Sequence, residues 1–230
     1  MSRSDDETLA PLTSLISRLK QELIEITDSN KDYKIKELIL RLYGDYPNDR
    51  GVLCPLFLNH LLLNEGEGFF MGANEPHAYI YGDCVECMAL SDNVVRAGLT
   101  PKFRDVSTLL SMLTYNTSKP NMIESFKLDE YTSIYRPPKV MCAEFEVELI
   151  KLPSGLESYK LPSLPCASIV LIFKGSCLMK DLKDSNNESP TSVSEGDIYF
   201  VEATSNIIIS ISSNEVNEFT IIFRSHVNLG

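Results

Sequence analysis

Residues 77–102 read HAYIYGDCVECMALSDNVVRAGLTPK. Short apolar runs are punctuated there by the turn residues GD at 82–83 and SDN at 91–93, a pattern that predicts strands and tight connections. Inside the runs stand His77 after a proline, Glu86 within CVECMAL and Arg96 within NVVRAGL. A lone Glu or Arg in an apolar run is costly to bury unless something pairs with it. Three polar groups so placed read as a site and not as core.

On the N-terminal side, residues 5–46 predict two amphipathic helices. Leu12, Leu15, Ile16, Leu19, Leu23 and Ile26 form one stripe; Ile35, Leu38, Ile39, Leu42 and Tyr46 form a second, after a TDSNKD turn. Such a pair is expected to leave an apolar stripe for another domain to cover. Between about 51 and 104 the pattern is of short apolar runs, and Asp105 is placed to cap a helix over 105–115. Residues 116–139, with Lys119–Pro120 and Pro137–Pro138, predict an irregular polar connector. From 140 to 227 the strand signals CAEFEVELI, ASIVLIFKGSCLM, DIYFVEA, NIIISIS and EFTIIFRS follow one another with loops between, 181–197 among them. Short strands at this spacing predict a jelly roll with Ile169, Leu171, Phe173, Phe200, Ile209 and Ile222 in its core.

Composition narrows the function. A chain of 230 residues can bury roughly 70% of its unfolded surface, and 43% hydrophobic with 23% charged residues is a globular balance. The net charge of −11 argues against nucleic acid or an anionic membrane as partner. MSRSDDETLA lacks the apolar core of a signal peptide, so a cytoplasmic protein is expected. Cys84 and Cys87 form a CxxC, which suits a redox pair or half a zinc ribbon. No second CxxC exists, and residues three apart on a strand face opposite ways, so neither role is assigned. His60 and His226 stand in no such context and are read as structural or solvent-exposed.

The 77–102 segment resembles the second signature of the type I phosphomannose isomerases, the zinc-dependent mannose-6-phosphate isomerases. The resemblance runs through His77, Ala78, Tyr79, Gly82, Glu86, Met88, Ala89, Ser91, Asp92, Asn93, Arg96, Ala97, Gly98, Thr100, Pro101 and Lys102, with PLFLNHLLLNEGE before it and FRDVSTLLSMLTYN after it. It implies a mainly β, cupin/jelly-roll protein with an N-terminal helical segment. The expected division is a helical segment at 1–50, the remainder of a metal-bearing cupin at 51–115, a connector at 116–139, and a C-terminal cupin-like domain at 140–230.

The resemblance also implies an activity. An aldose–ketose isomerase interconverts mannose 6-phosphate and fructose 6-phosphate, on the way to GDP-mannose, by moving a proton between C1 and C2. That needs a Lewis acid, a proton-moving group and a grip on the phosphate. His77 matches the family's histidine ligand to zinc, and Arg96 its catalytic arginine, whose rigid fork suits oxyanion charge. Arg96 could instead pair structurally with Asp83, Glu86 or Asp92. Glu86 is the choice for the proton-moving carboxylate, its pKa raised by burial, or else Arg96's structural partner. Lys102 matches a lysine on the phosphate side, and Tyr79 shares parity with His77. The family's other three zinc ligands, a Gln-x-His pair and a Glu, are expected outside this sequence, in which Gln21 is the only glutamine. The alternative is therefore a truncated, non-catalytic cupin remnant. The family implies a monomer; exposed edges imply self-association of a shortened chain.

Overall fold

The computed structural model describes residues 5–25, 31–91, 93–183, 189–212 and 217–230. The TDSNKD turn, Asp92 and part of the 181–197 loop lie wholly or largely outside the described residues. The chain divides into two compact units: 1–62, 71–81 and 91–120 in the first, and 63–70, 82–90 and 121–230 in the second.

In the first unit, α1 (Asp5–Glu25) and α2 (Lys31–Asp45) are followed by a 3-10 helix, Arg50–Leu56. Leu12, Ile16 and Leu19 of α1 pack with Leu38, Ile39 and Leu42 of α2 around Val52, all nine-tenths buried or more. The helical stripe expected to await a separate domain is thus closed within its own unit, because each helix supplies the other's apolar face. Lys36 reaches across to Glu22 at 2.8 Å. The short helix α3 (Val106–Met112) begins at Asp105, which accepts hydrogen bonds from the Thr108 amide at 3.0 Å and hydroxyl at 2.7 Å.

The signature segment departs from expectation. Residues 71–98 form no ladder among the described residues, although their sequence alternates as strands do. Strand propensity is realised only where a neighbouring backbone offers a ladder, and among the described residues this segment has none. The connector departs in the opposite sense. In the second unit β1 (Gly68–Phe70) pairs antiparallel with β2 (Asn121–Ile123), and β3 (Phe126–Lys127) and β4 (Thr132–Tyr135) follow. Asp129 makes the β3–β4 turn by accepting from the Tyr131 and Thr132 amides at 2.8 Å each.

Beyond them come β5 (Glu146–Pro153), β6 (Tyr159–Lys160), β7 (Ser168–Lys174), β8 (Ser176–Asp181), β9 (Thr191–Ser194), β10 (Ile198–Val201), β11 (Ile207–Ser210) and β12 (Phe219–His226). A six-stranded sheet in the order β10-β7-β12-β5-β4-β3 and a four-stranded sheet in the order β6-β11-β8-β9 make the two-sheet jelly roll. Its core holds Ile150, Leu152, Val170, Ile172, Ile209 and Ile222, each fully buried.

Two of the six expected core residues, Ile209 and Ile222, are there. Ile169, Phe173 and Phe200 instead face outward, 54%, 41% and 71% exposed, and Leu171 is half-buried on the same face. The run SIVLIFK is apolar at both parities, so alternation could not choose a face. The partners choose: Val170 lies opposite Tyr199 and Ile172 opposite Ile222, on the inner side. Gly175 lets the chain leave β7 for β8 in the other sheet. Its φ is +83°, and a Cβ there would lie 2.9 Å from the Thr220 Oγ1. Gly175→Ala should therefore lower stability by at least about 1–2 kcal/mol, read as a shifted urea midpoint. An unshifted midpoint would mean the turn can flip to negative φ.

Candidate functional site

His77 is solvent-exposed, and its Nδ1–H donates to the Glu75 carbonyl at 2.9 Å. Because a carbonyl only accepts, that bond puts a proton on Nδ1, and in the neutral ring the lone pair is then on Nε2. The loop carrying it is tied down from the other side of the unit. Asn116 donates to the Glu75 carboxylate at 3.4 Å, and the Thr114 amide donates to the Asn74 carbonyl at 3.4 Å. Tyr79 stands beside His77 with ring centroids 5.9 Å apart, as residues two apart on an extended chain do. Arg41 of α2 donates to the Ile80 carbonyl at 2.9 Å and lies over the Tyr81 ring.

The far end of the signature is held by Asp49. Its carboxylate accepts from the Gly51 amide at 2.7 Å, from the Thr100 amide at 3.4 Å and from Arg104 at 3.4 Å, while only 10% exposed. Gly98 lies so close to Gly51 that a Cβ would fall 2.8 Å from the Gly51 Cα. This contact docks residues 98–104 on the 3-10 helix. Arg96, just before it, is half-buried; Lys102, just after it, is exposed, with its amide donating to Thr100 Oγ1 at 3.1 Å.

Glu86 belongs to the second compact unit and is exposed, so the burial expected of it within CVECMAL is absent. Its neighbour Cys87 is half-buried with Sγ 3.0 Å from the Ser225 hydroxyl, whereas Cys84 is exposed. Burial pushes the Cys87 thiol up from its usual value, which suits packing better than redox reactivity.

Zinc needs three or four converging protein donors. Among the described residues no three His, Cys, Asp or Glu side chains gather as a metal would require. The described residues, His77 among them, do not by themselves fit the metal.

The second unit holds a charged cluster that the sequence reading missed. Glu146 and Glu148 of β5 and Arg224 and His226 of β12 point inward, each at least 95% buried. Arg224 donates to the Pro162 carbonyl at 2.7 Å and to Ser168 at 3.1 Å, and faces Glu148 at 3.5 Å. His226 donates through Nδ1 to the Val227 carbonyl at 2.9 Å and places Nε2 3.3 Å from Glu148. Arg136 binds Glu146 through two nitrogens. Burial pulls the Arg224 guanidinium below its usual value, and Glu148 opposes that shift. No buried side-chain polar atom lacks a partner among the described residues, so the cluster is closed on itself. The signal was present: both glutamates share parity with Ile150 and Leu152, and Arg224 and His226 with Ile222.

Three comparisons bear on this arrangement. The helical insertion domain of phosphomannose isomerase type I matches residues 1–58. Mannose-6-phosphate isomerase 2 of Arabidopsis thaliana is 42% identical over 214 residues, 93% of this chain and 46% of that protein. The Mus musculus mannose-6-phosphate isomerase is 38% identical over 93% of this chain and 49% of its own length. The chain therefore spans about half the length of the curated relatives it matches. Among solved structures, a Salmonella typhimurium mannose 6-phosphate isomerase bound to substrate and a zinc atom superposes with a TM-score of 0.65 at 23% identity. The match covers 93% of this chain and 49% of that one, a likeness of fold. No described helix is long and apolar enough to cross a membrane.

Proposed function

The chain belongs to the type I mannose-6-phosphate isomerase family, and from that membership we propose that it contributes the substrate-facing part of a zinc-dependent aldose–ketose isomerase. The substrates are mannose 6-phosphate and fructose 6-phosphate, and the product feeds GDP-mannose synthesis in the cytoplasm. The supporting observation is the 42% identity sustained over 93% of this chain, which includes the signature. In this reading Arg96 steadies oxyanion charge on the sugar. Lys102 and Tyr79 hold the phosphate and the sugar, His77 is one ligand to zinc, and the proton-moving role of Glu86 is carried by the resemblance alone, since its side chain is exposed. The remaining ligands come from the portion of the relatives that this sequence does not span.

A second reading, a non-catalytic cupin remnant, is favoured for the isolated 230 residues by the absence of a converging ligand set among the described residues. An ion held by one imidazole gains little over its hydrated state and offers a sugar no fixed geometry. The isolated chain should retain no stoichiometric zinc after dialysis, by elemental analysis, and give no turnover in a coupled assay on mannose 6-phosphate. Completed with the remaining portion of the Arabidopsis relative, it should acquire both. Arg96→Ala should then cost on the order of 10²–10³ in kcat with zinc retained, whereas His77→Ala should lose zinc as well. Equal zinc in the two variants would remove His77 from the ligand set. One tightly held zinc with turnover in the isolated chain would overturn the count of ligands.

A further inference from the structure

Arg96 and Lys102 stand at the two ends of a bend whose middle is fastened from outside the signature. All of its anchors belong to the same compact unit. Gly98 meets Gly51 backbone to backbone, and a Cβ on Gly51 would fall 2.7 Å from the Leu99 amide nitrogen. Leu99 packs against the helical core that contains Val52. The Thr100 amide donates to one oxygen of Asp49 at 3.4 Å, and Arg104 reaches the same oxygen at 3.4 Å. The other oxygen caps the 3-10 helix by accepting from the Gly51 amide at 2.7 Å.

At the centre of the bend Leu99 has a φ of +54°. A residue with a Cβ takes that left-handed conformation only where its surroundings hold it there. Freed of them, Leu99 would relax to negative φ, and Lys102 would leave the bend in another direction relative to Arg96. The two oxygens of Asp49 divide the work. A helix cap needs one acceptor, which Asn or Ser supplies as well. The second oxygen faces an amide and a guanidinium together, and there the negative charge matters.

We propose that Asp49 is a positioning residue for the phosphate grip, holding residues 98–104 so that Lys102 meets the phosphoryl group while Arg96 stays on the reacting oxygens. The inference rests on the family reading above and extends it to a residue outside the signature, between α2 and the 3-10 helix. Asp49 acts through Thr100 and Arg104 and not by touching the sugar.

The test is Asp49→Asn, made in this chain and in the chain completed with the remaining portion of the Arabidopsis relative. Asparagine keeps an oxygen for the Gly51 amide but turns an NH2 towards the Thr100 amide and Arg104. The cap survives and the clamp does not. Amide hydrogen exchange in this chain should quicken at least about tenfold over 98–104 and stay unchanged over α2. In the completed chain, KM for mannose 6-phosphate should rise at least about tenfold, with kcat within about threefold and zinc retained. Inhibition by inorganic phosphate should weaken by the same factor. A merely structural role would lower the urea midpoint and the yield of active protein but leave KM alone. Glu22→Gln, at the partly exposed pair with Lys36, should change neither readout. Unchanged exchange at 98–104, or a KM that stays put while kcat falls, would each overturn the inference. Absence of turnover in the unsubstituted completed chain would overturn the isomerase reading instead, and exchange would still decide whether Asp49 holds the bend.

Discussion

Glu148→Ala should destabilise the second unit by about 3–5 kcal/mol, because it removes one member of a buried ionic cluster and strands the others. Glu148 is 1% exposed and faces both Arg224, 2% exposed, and His226. With the carboxylate gone, the Arg224 guanidinium keeps its bonds to Pro162 and Ser168 but loses its counter-charge. The cost comes from the stranded charge more than from the lost pair. Replacing Glu148 and Arg224 together with Leu and Met should therefore restore much of the stability. Urea unfolding of the wild type, the single variant and the double variant forms the test. A single-variant loss below about 1 kcal/mol would mean water reaches the cluster and solvates Arg224.

Ile172→Ala is the other large effect, at about 2–5 kcal/mol, and its informative control is the larger residue beside it. Ile172 is fully buried between the sheets, whereas Phe173 is 41% exposed on the outer face. Phe173 meets Phe223 edge-on, with centroids 5.4 Å apart. An aromatic pair of this kind contributes about 0.5–1.5 kcal/mol beyond the area it buries. Phe173→Ala should accordingly cost less than Ile172→Ala despite removing more atoms. The opposite order in urea midpoints would put the outer face in the core and reverse the parity of β7.

That parity marks where the sequence stops being sufficient. Helical periodicity is local: residues three and four apart share a face whatever the rest of the chain does. The stripes of α1 and α2 and the Asp105 cap were therefore legible, as was the family, which rests on a dense motif in one segment. The class of the C-terminal fold was legible too, since many short apolar runs with turns between them admit few architectures. His77 and Tyr79 do stand side by side, as parity required.

Tertiary structure decided whatever depends on a partner far along the chain. A one-residue choice of register moves a strand's whole set of side chains across the sheet. In an apolar run such as SIVLIFK only the neighbours β10 and β12 make that choice. The same reasoning recruits residues 121–135 into sheets that their polar composition did not announce, because β5 and β1 offer them a ladder. Among the described residues it leaves the strand-like residues 71–98 without a ladder. Glu146, Glu148, Arg224 and His226 were each legible as charged or titratable groups on strands. Only the pairing of β5 with β12, which sets Glu148 opposite Arg224 and Glu146 opposite His226, turned four costly burials into one satisfied cluster. Periodicity is written in neighbouring residues, whereas pairing is a free-energy balance between segments that the sequence keeps far apart.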